Sequence, residues 1–336
     1  MISLQIIGVR SSQFIFDFGF LIFDTTEMAT SRAIKNRIKS TKNIKQITKA
    51  MEAVSAVKMR KSETTALRAR PYALSALEIF KSISAKMDYT IELLSPFLQK
   101  NKSEKSCLVV ITSDKGLAGS FNTNVFRKAL EILKGKEENF EVVTVGKKGR
   151  DFLSKRGFKV SKDFLGAGDF VEIEESRPIS DFLKENFLKG TWKDVTLLYT
   201  NFMSALKQEV ITRKMLPFSF ESISKIVEGI SPEKGKYANT PSFIGQNEKA
   251  LSYKFEPNPK EVLESLLPTL LEIEVHHAVL EANASEHSSR MIAMKNASEN
   301  AGELIGELTL IYNKARQAQI TKELTEIVGG AAALEN

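Results

Sequence analysis

"MKNASENAGELIGELTLIYNKARQA", Met294 to Ala318, is the stretch that decides the fold. Met294, Ala297, Ala301, Leu304, Leu308, Ile311, Ala315 and Ala318 recur at a strict three-and-four spacing, the seam of a left-handed coiled coil. Its alanines allow a partner helix to approach closely. Helical patterning extends around the seam from Pro259 to Val328, interrupted by Pro268, Gly302 and Gly306, and 70 residues at about 1.5 Å each predict a rod on the order of 100 Å. The seam ends at Ala318, because Lys322 and Thr325 would come next. Apolar residues resume out of step at Ile320, Leu324 and Ile327, about 200° round the helix. The tip, Gly329-Gly330-Ala331-Ala332-Ala333, has almost no side chain to bury. The end of this helix therefore has a different partner from the seam.

The seam's partner is sought at the other end of the chain. From Thr30 to about Leu94 there is no glycine and one proline, Pro71, and the pattern is helical. Ile34, Ile38, Thr41, Ile44, Ile47, Met51, Val54 and Val57 predict a narrow apolar stripe, which favours a paired helix. Around it lie Arg32, Lys35, Arg37, Lys39, Lys42, Lys45, Lys49, Lys58, Arg60 and Lys61, opposed by Glu52 and Glu63. The first helix is a basic rod.

Between the rods the period changes. "SCLVVIT", "FEVVTVG" and "KDVTLLYTNF" are short β-branched runs separated by helical stretches such as "NTNVFRKALEILKGK" and "ISDFLKENFLKG". This alternation predicts an α/β layer with a mainly parallel sheet over residues 105–220. "QEVITRKMLPF" reads as one more strand, antiparallel at an edge. Residues 221–250 are rich in Gly, Pro, Ser and Asn and read as a loop or hairpin insert.

The 336 residues carry a formal charge of +7, which is compatible with a nucleic acid, an anionic surface or an acidic protein partner. The single cysteine, Cys107, sits in the apolar run "CLVVIT" and reads as a buried strand residue of a reducing compartment. Residues 1–27 differ in character from the basic helix after them. Their "FIFDFGFLIF" is too short to span a bilayer and lacks the flanks of a signal peptide, so the expectation is a start assigned too early or an extension that folds back.

No constellation for chemistry emerges. "TSDKGLAGSFN" follows a strand and precedes a helix, but it has neither the G-x-G-x-x-G spacing nor the lysine and hydroxyl of a P-loop, and it reads as a tight turn. His276, His277 and His287 share one helix without a metal-ligand pattern. Glu299, Glu303 and Glu307 have the spacing of a solvated face. The expectation is a mechanical or binding protein with no catalytic residue, metal or cofactor. A basic coiled-coil arm for nucleic acid is the alternative; against it, no aromatics interleave with the lysines and the stripe runs through the basic stretch.

"MATSRAIKNRIKSTKNIKQITKAMEAVSAVKMRKSE", "VVITSDKGLAGSFN", "YTNFMSALKQEV", "YKFEPNPKEVLESLLP" and "ASEHSSRMIAMKNASENAGELIGELTLIYNKARQAQITKELTEIVGGAAAL" resemble, in order, the gamma subunit of bacterial F-type ATP synthase. The likeness covers residues 28–334. Ala118 and Ser120 stand where that family usually has cysteine and glycine, and the chloroplast-type cysteine pair is absent, so thiol control is not expected.

The resemblance implies two long antiparallel terminal helices, residues 28–100 and 251–334, with an inserted Rossmann-like α/β domain. It implies a central rotor shaft coupling ion flow through the c-ring to ATP synthesis or hydrolysis in the alpha/beta hexamer. The epsilon subunit is a further implied partner. The implied location is peripheral, on the cytoplasmic face of the bacterial inner membrane. Matched by motif, Lys49, Met51, Lys58, Arg290, Arg316, Gln317, Thr321 and Glu323 are implied contacts to the beta subunits. Tyr253, Phe255 and Glu256 are implied contacts to the c-ring.

Overall fold

A computed structural model describes residues 31–68, 75–76, 78–80, 82–83, 95–169, 172–219 and 254–334. The extension at 1–27, the insert at 221–250 and Tyr253 lie outside the described residues. The chain divides into two compact units, one formed by residues 1–46 and 299–336 and the other by residues 47–298. Helix α1, Ser31–Arg68, and the last helix, α5, Pro259–Leu334, each contribute to both.

The larger unit is built on a five-stranded sheet of β1 (Ser106–Ile111), β2 (Phe140–Val145), β3 (Val160–Phe164), β4 (Asp194–Phe202) and β5 (Gln208–Leu216), in the order β3-β2-β1-β4-β5. The first four strands are mutually parallel, and β5 runs antiparallel to β4 at the edge, as its sequence predicted. Central strands read as continuous apolar runs because both faces are covered. On one face Leu108, Val110 and Val142 meet Val125, Ala129 and Leu133 of α2, Phe121–Leu133, and Leu153 of α3, Lys147–Lys155. On the other, Cys107, Val109 and Val143 share a core with Ile179 and Leu183 of α4, Ile173–Leu188, and with Leu267, Leu271 and Val275 of α5. Burial drives the Cys107 thiol well above its ordinary pKa, so it is inert packing.

Strand β3 was not legible in the sequence. Its residues, VSKDF, lie at the sheet edge with no fully buried side chain, so no apolar alternation marks them. Sharp turns join strands to helices at the carboxyl end of the sheet. Gly146 has φ +98°, and a Cβ there would fall on the Thr112 carbonyl, so only glycine fits between β2 and α3.

In the smaller unit Lys45, near the end of its α1 segment, reaches Gly302, near the start of its α5 segment, with Nζ 2.9 Å from where a Cβ would stand. This register belongs to an antiparallel pair. Ile34, Ala301 and Leu308 are buried there, whereas every α5 residue from Arg316 to Gly330 is exposed. The tail outruns the start of α1.

The helical stripes differ from the sequence reading. On α5 Met294, Ala301, Leu308 and Ala315 face inward as expected, but the alternate positions are Ser298, Ile305 and Tyr312, while Leu304 and Ile311 are 42% and 53% exposed. On α1 the buried residues after Ile34 are Thr41, Thr48, Ser55 and Ser62, every seventh residue, joined further along by Met59 and Ala66. Ile44, Ile47, Val54 and Val57 are exposed. Small hydroxyl side chains permit close helix approach, and a threonine can satisfy its own hydroxyl on its helix, as Thr41 Oγ1 does by donating to the Arg37 carbonyl at 2.9 Å.

Candidate functional site

The loop from Thr112 to Ser120, between β1 and α2, lies at the carboxyl ends of the parallel strands, where α/β sheets present their working surfaces. It is tied down by side chains that no local pattern groups together. Asp114 accepts hydrogen bonds from the amides of Lys147 at 3.0 Å, Gly166 at 3.0 Å and Gly168 at 3.5 Å, joining the ends of β1, β2 and β3. Asn122 Oδ1 accepts from the Ser113 amide at 3.1 Å, and its Nδ2 donates to Ser113 Oγ at 2.6 Å. At the apex, Leu117 adopts φ +63° and is exposed.

The other side of the loop is held by α5. Arg290 donates through Nε and Nη2 to the Gly116 carbonyl at 3.3 and 3.2 Å, through Nη2 to Glu286 Oε1 at 2.5 Å, and through Nη1 to His287 Nδ1 at 3.2 Å. His287 Nε2 in turn donates to the Gly168 carbonyl at 3.0 Å, which fixes the neutral Nε2–H tautomer. Burial, then the adjacent Arg290, lower the His287 pKa to about 4. Burial raises Glu286 to about 7 against the pull of Arg290. Arg290, expected at a surface contact, is 7% exposed with its guanidinium engaged inside the fold.

These residues form the charged side of a groove of about 590 Å³, whose apolar side is Ile47, Met51 and Val54 from α1. Lys58, one turn further along α1, ion-pairs with Asp169, and Lys115 Nζ stands 3.8 Å from the same carboxylate. The Lys58 hydrogen bond is the main reason that Asp169 is held below the usual carboxylate range. Thus the structure gathers Met51, Lys58 and Arg290 at one groove, together with Asp114, Asp169 and Glu286, which sequence reasoning did not nominate. The available signal was the i, i+4 pair Glu286 and Arg290 in "SEHSSR".

The remaining expected contact residues lie apart from this groove. Lys49 is exposed and pairs with Glu52 at 3.0 Å. Arg316, Gln317, Thr321 and Glu323 are exposed on the tail in the smaller unit, where Thr321 Oγ1 donates to the Gln317 carbonyl and Glu323 accepts from Gln319. In the larger unit Phe255 packs against the core, and Glu256 is exposed and pairs with Lys254. Each histidine has an internal environment: His276 bonds Ser176, His277 is buried beside Glu281, and His287 bridges Gly168 and Arg290. Among the described residues no helix is long and apolar enough to cross a membrane.

A family model described as ATP synthase matches residues 30–334. The ATP synthase gamma chain of Pelotomaculum thermopropionicum is 39% identical over 309 residues, covering 92% of this chain and 100% of that protein. That of Nitrosomonas eutropha is 40% identical over 312 residues, covering 91% and 100%. Among solved structures, a chain of the Tetrahymena thermophila mitochondrial ATP synthase central stalk and c-ring superposes with TM-score 0.54 at 25% identity, covering 75% of this chain and 99% of that one. A chain of the Euglena gracilis mitochondrial ATP synthase, solved with OSCP, F1 and c-ring, shares the fold with TM-score 0.59 at 20% identity, covering 90% and 94%.

Proposed function

The chain belongs to the ATP synthase gamma-chain family, and from that premise we propose how its parts serve a rotary central stalk. The gamma chain is the central-stalk subunit of F-type ATP synthase, and the observation that carries the assignment is 39% identity across the whole length of its relatives. Its partners are the alpha and beta subunits of the head, the epsilon subunit and the c-ring. The complex sits on the cytoplasmic face of a bacterial inner membrane, which this chain reaches only through those partners. It has no catalytic site of its own.

Its work is to make three chemically identical sites unequal. Shifting a two-state site from mostly open to mostly closed takes about 5 kcal/mol of differential contact, and an asymmetric shaft moves that bias from site to site as it turns. The groove around Met51 and Lys58 is one contact with the beta subunits. Exposed apolar side chains give it area, Lys58 and Lys115 give it attraction for acidic loops, and the exposed Lys49 lies apart from it on the same helix as a further contact. Arg290 serves that contact by holding the loop that presents Lys115 and Leu117. The tail bearing Arg316, Gln317, Thr321 and Glu323 is the second contact, enclosed by the hexamer. Tyr253, Phe255 and Glu256 meet the c-ring.

Co-expression with the alpha, beta, epsilon and c subunits of the same source tests this reading. The expected result is a single complex containing the chain, with the alpha and beta subunits joined to the c subunits only when the chain is present. A chain that purifies free of all four subunits overturns it.

A further inference from the structure

Five titratable side chains that the stalk reading does not use meet where α5 crosses β4 and β5. Glu274, His277 and Glu281 lie on one face of α5, Tyr199 comes from β4 and Arg213 from β5. None is more than 8% exposed. Arg213 Nη1 stands 3.8 Å from Glu274 Oε1, His277 Nδ1 stands 3.6 Å from Glu281 Oε2, and the guanidinium carbon lies 5.6 Å from the Tyr199 ring centroid. Both oxygens of Glu274, His277 Nδ1 and Arg213 Nη1 have no hydrogen-bond partner, and the Tyr199 hydroxyl faces the Glu281 carboxyl. The adjacent His276 is bonded to Ser176 Oγ of α4 at 3.0 Å.

The charges do not balance if every acid is ionised. Two carboxylates would share one guanidinium in a dry contact, because His277 is neutral, lowered to about 3 by burial and then by Arg213. An uncompensated buried charge is far more costly than a protonated acid. A proton kept on the pair removes that charge.

We propose that the two carboxyls of this cluster, Glu274 and Glu281, hold one proton against the single Arg213 guanidinium, and that the cluster so neutralised fastens α5 to the β4–β5 edge of the sheet and loosens that contact when the proton leaves. Burial raises both carboxyls, Glu274 to about 8 and Glu281 to about 7, while Arg213 pulls both back. A folded pKa above the unfolded one gives stability that is complete below the unfolded value, near 4.5, and is lost as pH rises through the folded values. His277 has the opposite sign, contributing above about 6.5 and failing as pH falls toward 3. The acid pair therefore governs this contact between about pH 6.5 and pH 8.

The test is infrared spectroscopy of the full chain, comparing the native protein with Glu281→Gln and Glu274→Gln at pH 7. Glu286, also raised to about 7, remains in both variants and cancels in the difference. The native chain should show a protonated-carboxyl carbonyl band that is lost in Glu281→Gln and that titrates away toward pH 8.5. In parallel, the Tm of the native chain should fall between pH 6.5 and 8.5 more steeply than that of Glu281→Gln. No difference band at pH 7, or parallel Tm curves, overturns the proposal. If neither variant folds, the band is read at pH 6 in Glu286→Gln, where a protonated-carboxyl band supports the proposal and its absence overturns it.

Discussion

Glu286 Oε1 and Arg290 Nη2 lie 2.5 Å apart, one helical turn apart on α5, and both side chains are less than 10% exposed. This pair turns the side of a long helix into an anchor, because the rest of the guanidinium holds the Gly116 carbonyl and, through His287, the Gly168 carbonyl. Removing Arg290 leaves a raised carboxyl without its cation and the loop without its tie. Arg290→Ala should cost about 3 kcal/mol in chemical denaturation followed by Trp192, the single tryptophan, which is buried in this unit. A loss below about 1 kcal/mol would mean that the loop is held by Asp114 alone.

Lys58 offers the opposite balance. Its pair with Asp169 is partly exposed, with side chains 40% and 57% accessible, so Lys58→Ala should change stability by less than about 1 kcal/mol. If the groove meets the beta subunits, the same substitution and Met51→Lys should lower coupled ATP synthesis in the assembled complex. Unchanged synthesis in both variants would remove this groove from the contact.

Gly146 tests the strand-to-helix turn. Its φ of +98° and the Thr112 carbonyl beneath it leave no room for a methyl group, so Gly146→Ala should cost at least about 2 kcal/mol. Thermal unfolding of the full chain measures it, and a neutral result would mean that the turn rebuilds.

Gly306 should behave in reverse. It lies within α5 with nothing inside 4 Å of an added Cβ, so Gly306→Ala should stabilise the helix by about 0.5–1 kcal/mol. Gly302→Ala should gain less, since the end of the flexible Lys45 side chain must move aside first. A rise in Tm, larger for position 306 than for 302, is the expected reading.

Glu256 is an exposed residue that pairs with its neighbour Lys254, so Glu256→Ala should leave fold stability within about 0.5 kcal/mol. ATP hydrolysis by the detached head should be unchanged, while ion pumping or assembly with the c-ring should fall. An equal loss of both activities would place this motif away from the c-ring.

Local pattern in the chain was enough for the order of elements and the family. A shift from period 3.6 to β-branched runs and back is a local property, and it located β1, β2, β4 and β5 between two long helices. The same local logic read Cys107 as strand packing.

Which way the helices face was settled by tertiary packing. Thr48, Ser55 and Ser62 are buried on α1 while Ile47, Val54 and Val57 are exposed, because burial depends on what a distant segment presents and how closely it approaches, not on side-chain hydrophobicity alone. For the same reason β3, an edge strand of mixed polarity, left no periodic trace. Arg290 and Gly116 are separated by 174 residues, and Arg213 and Glu274 by 61, so although Glu286 and Arg290 have i, i+4 spacing, no local pattern says which distant groups the loop anchor or the buried acids will meet. Electrostatics of that kind exists only once folding has removed the water between residues far apart in the chain.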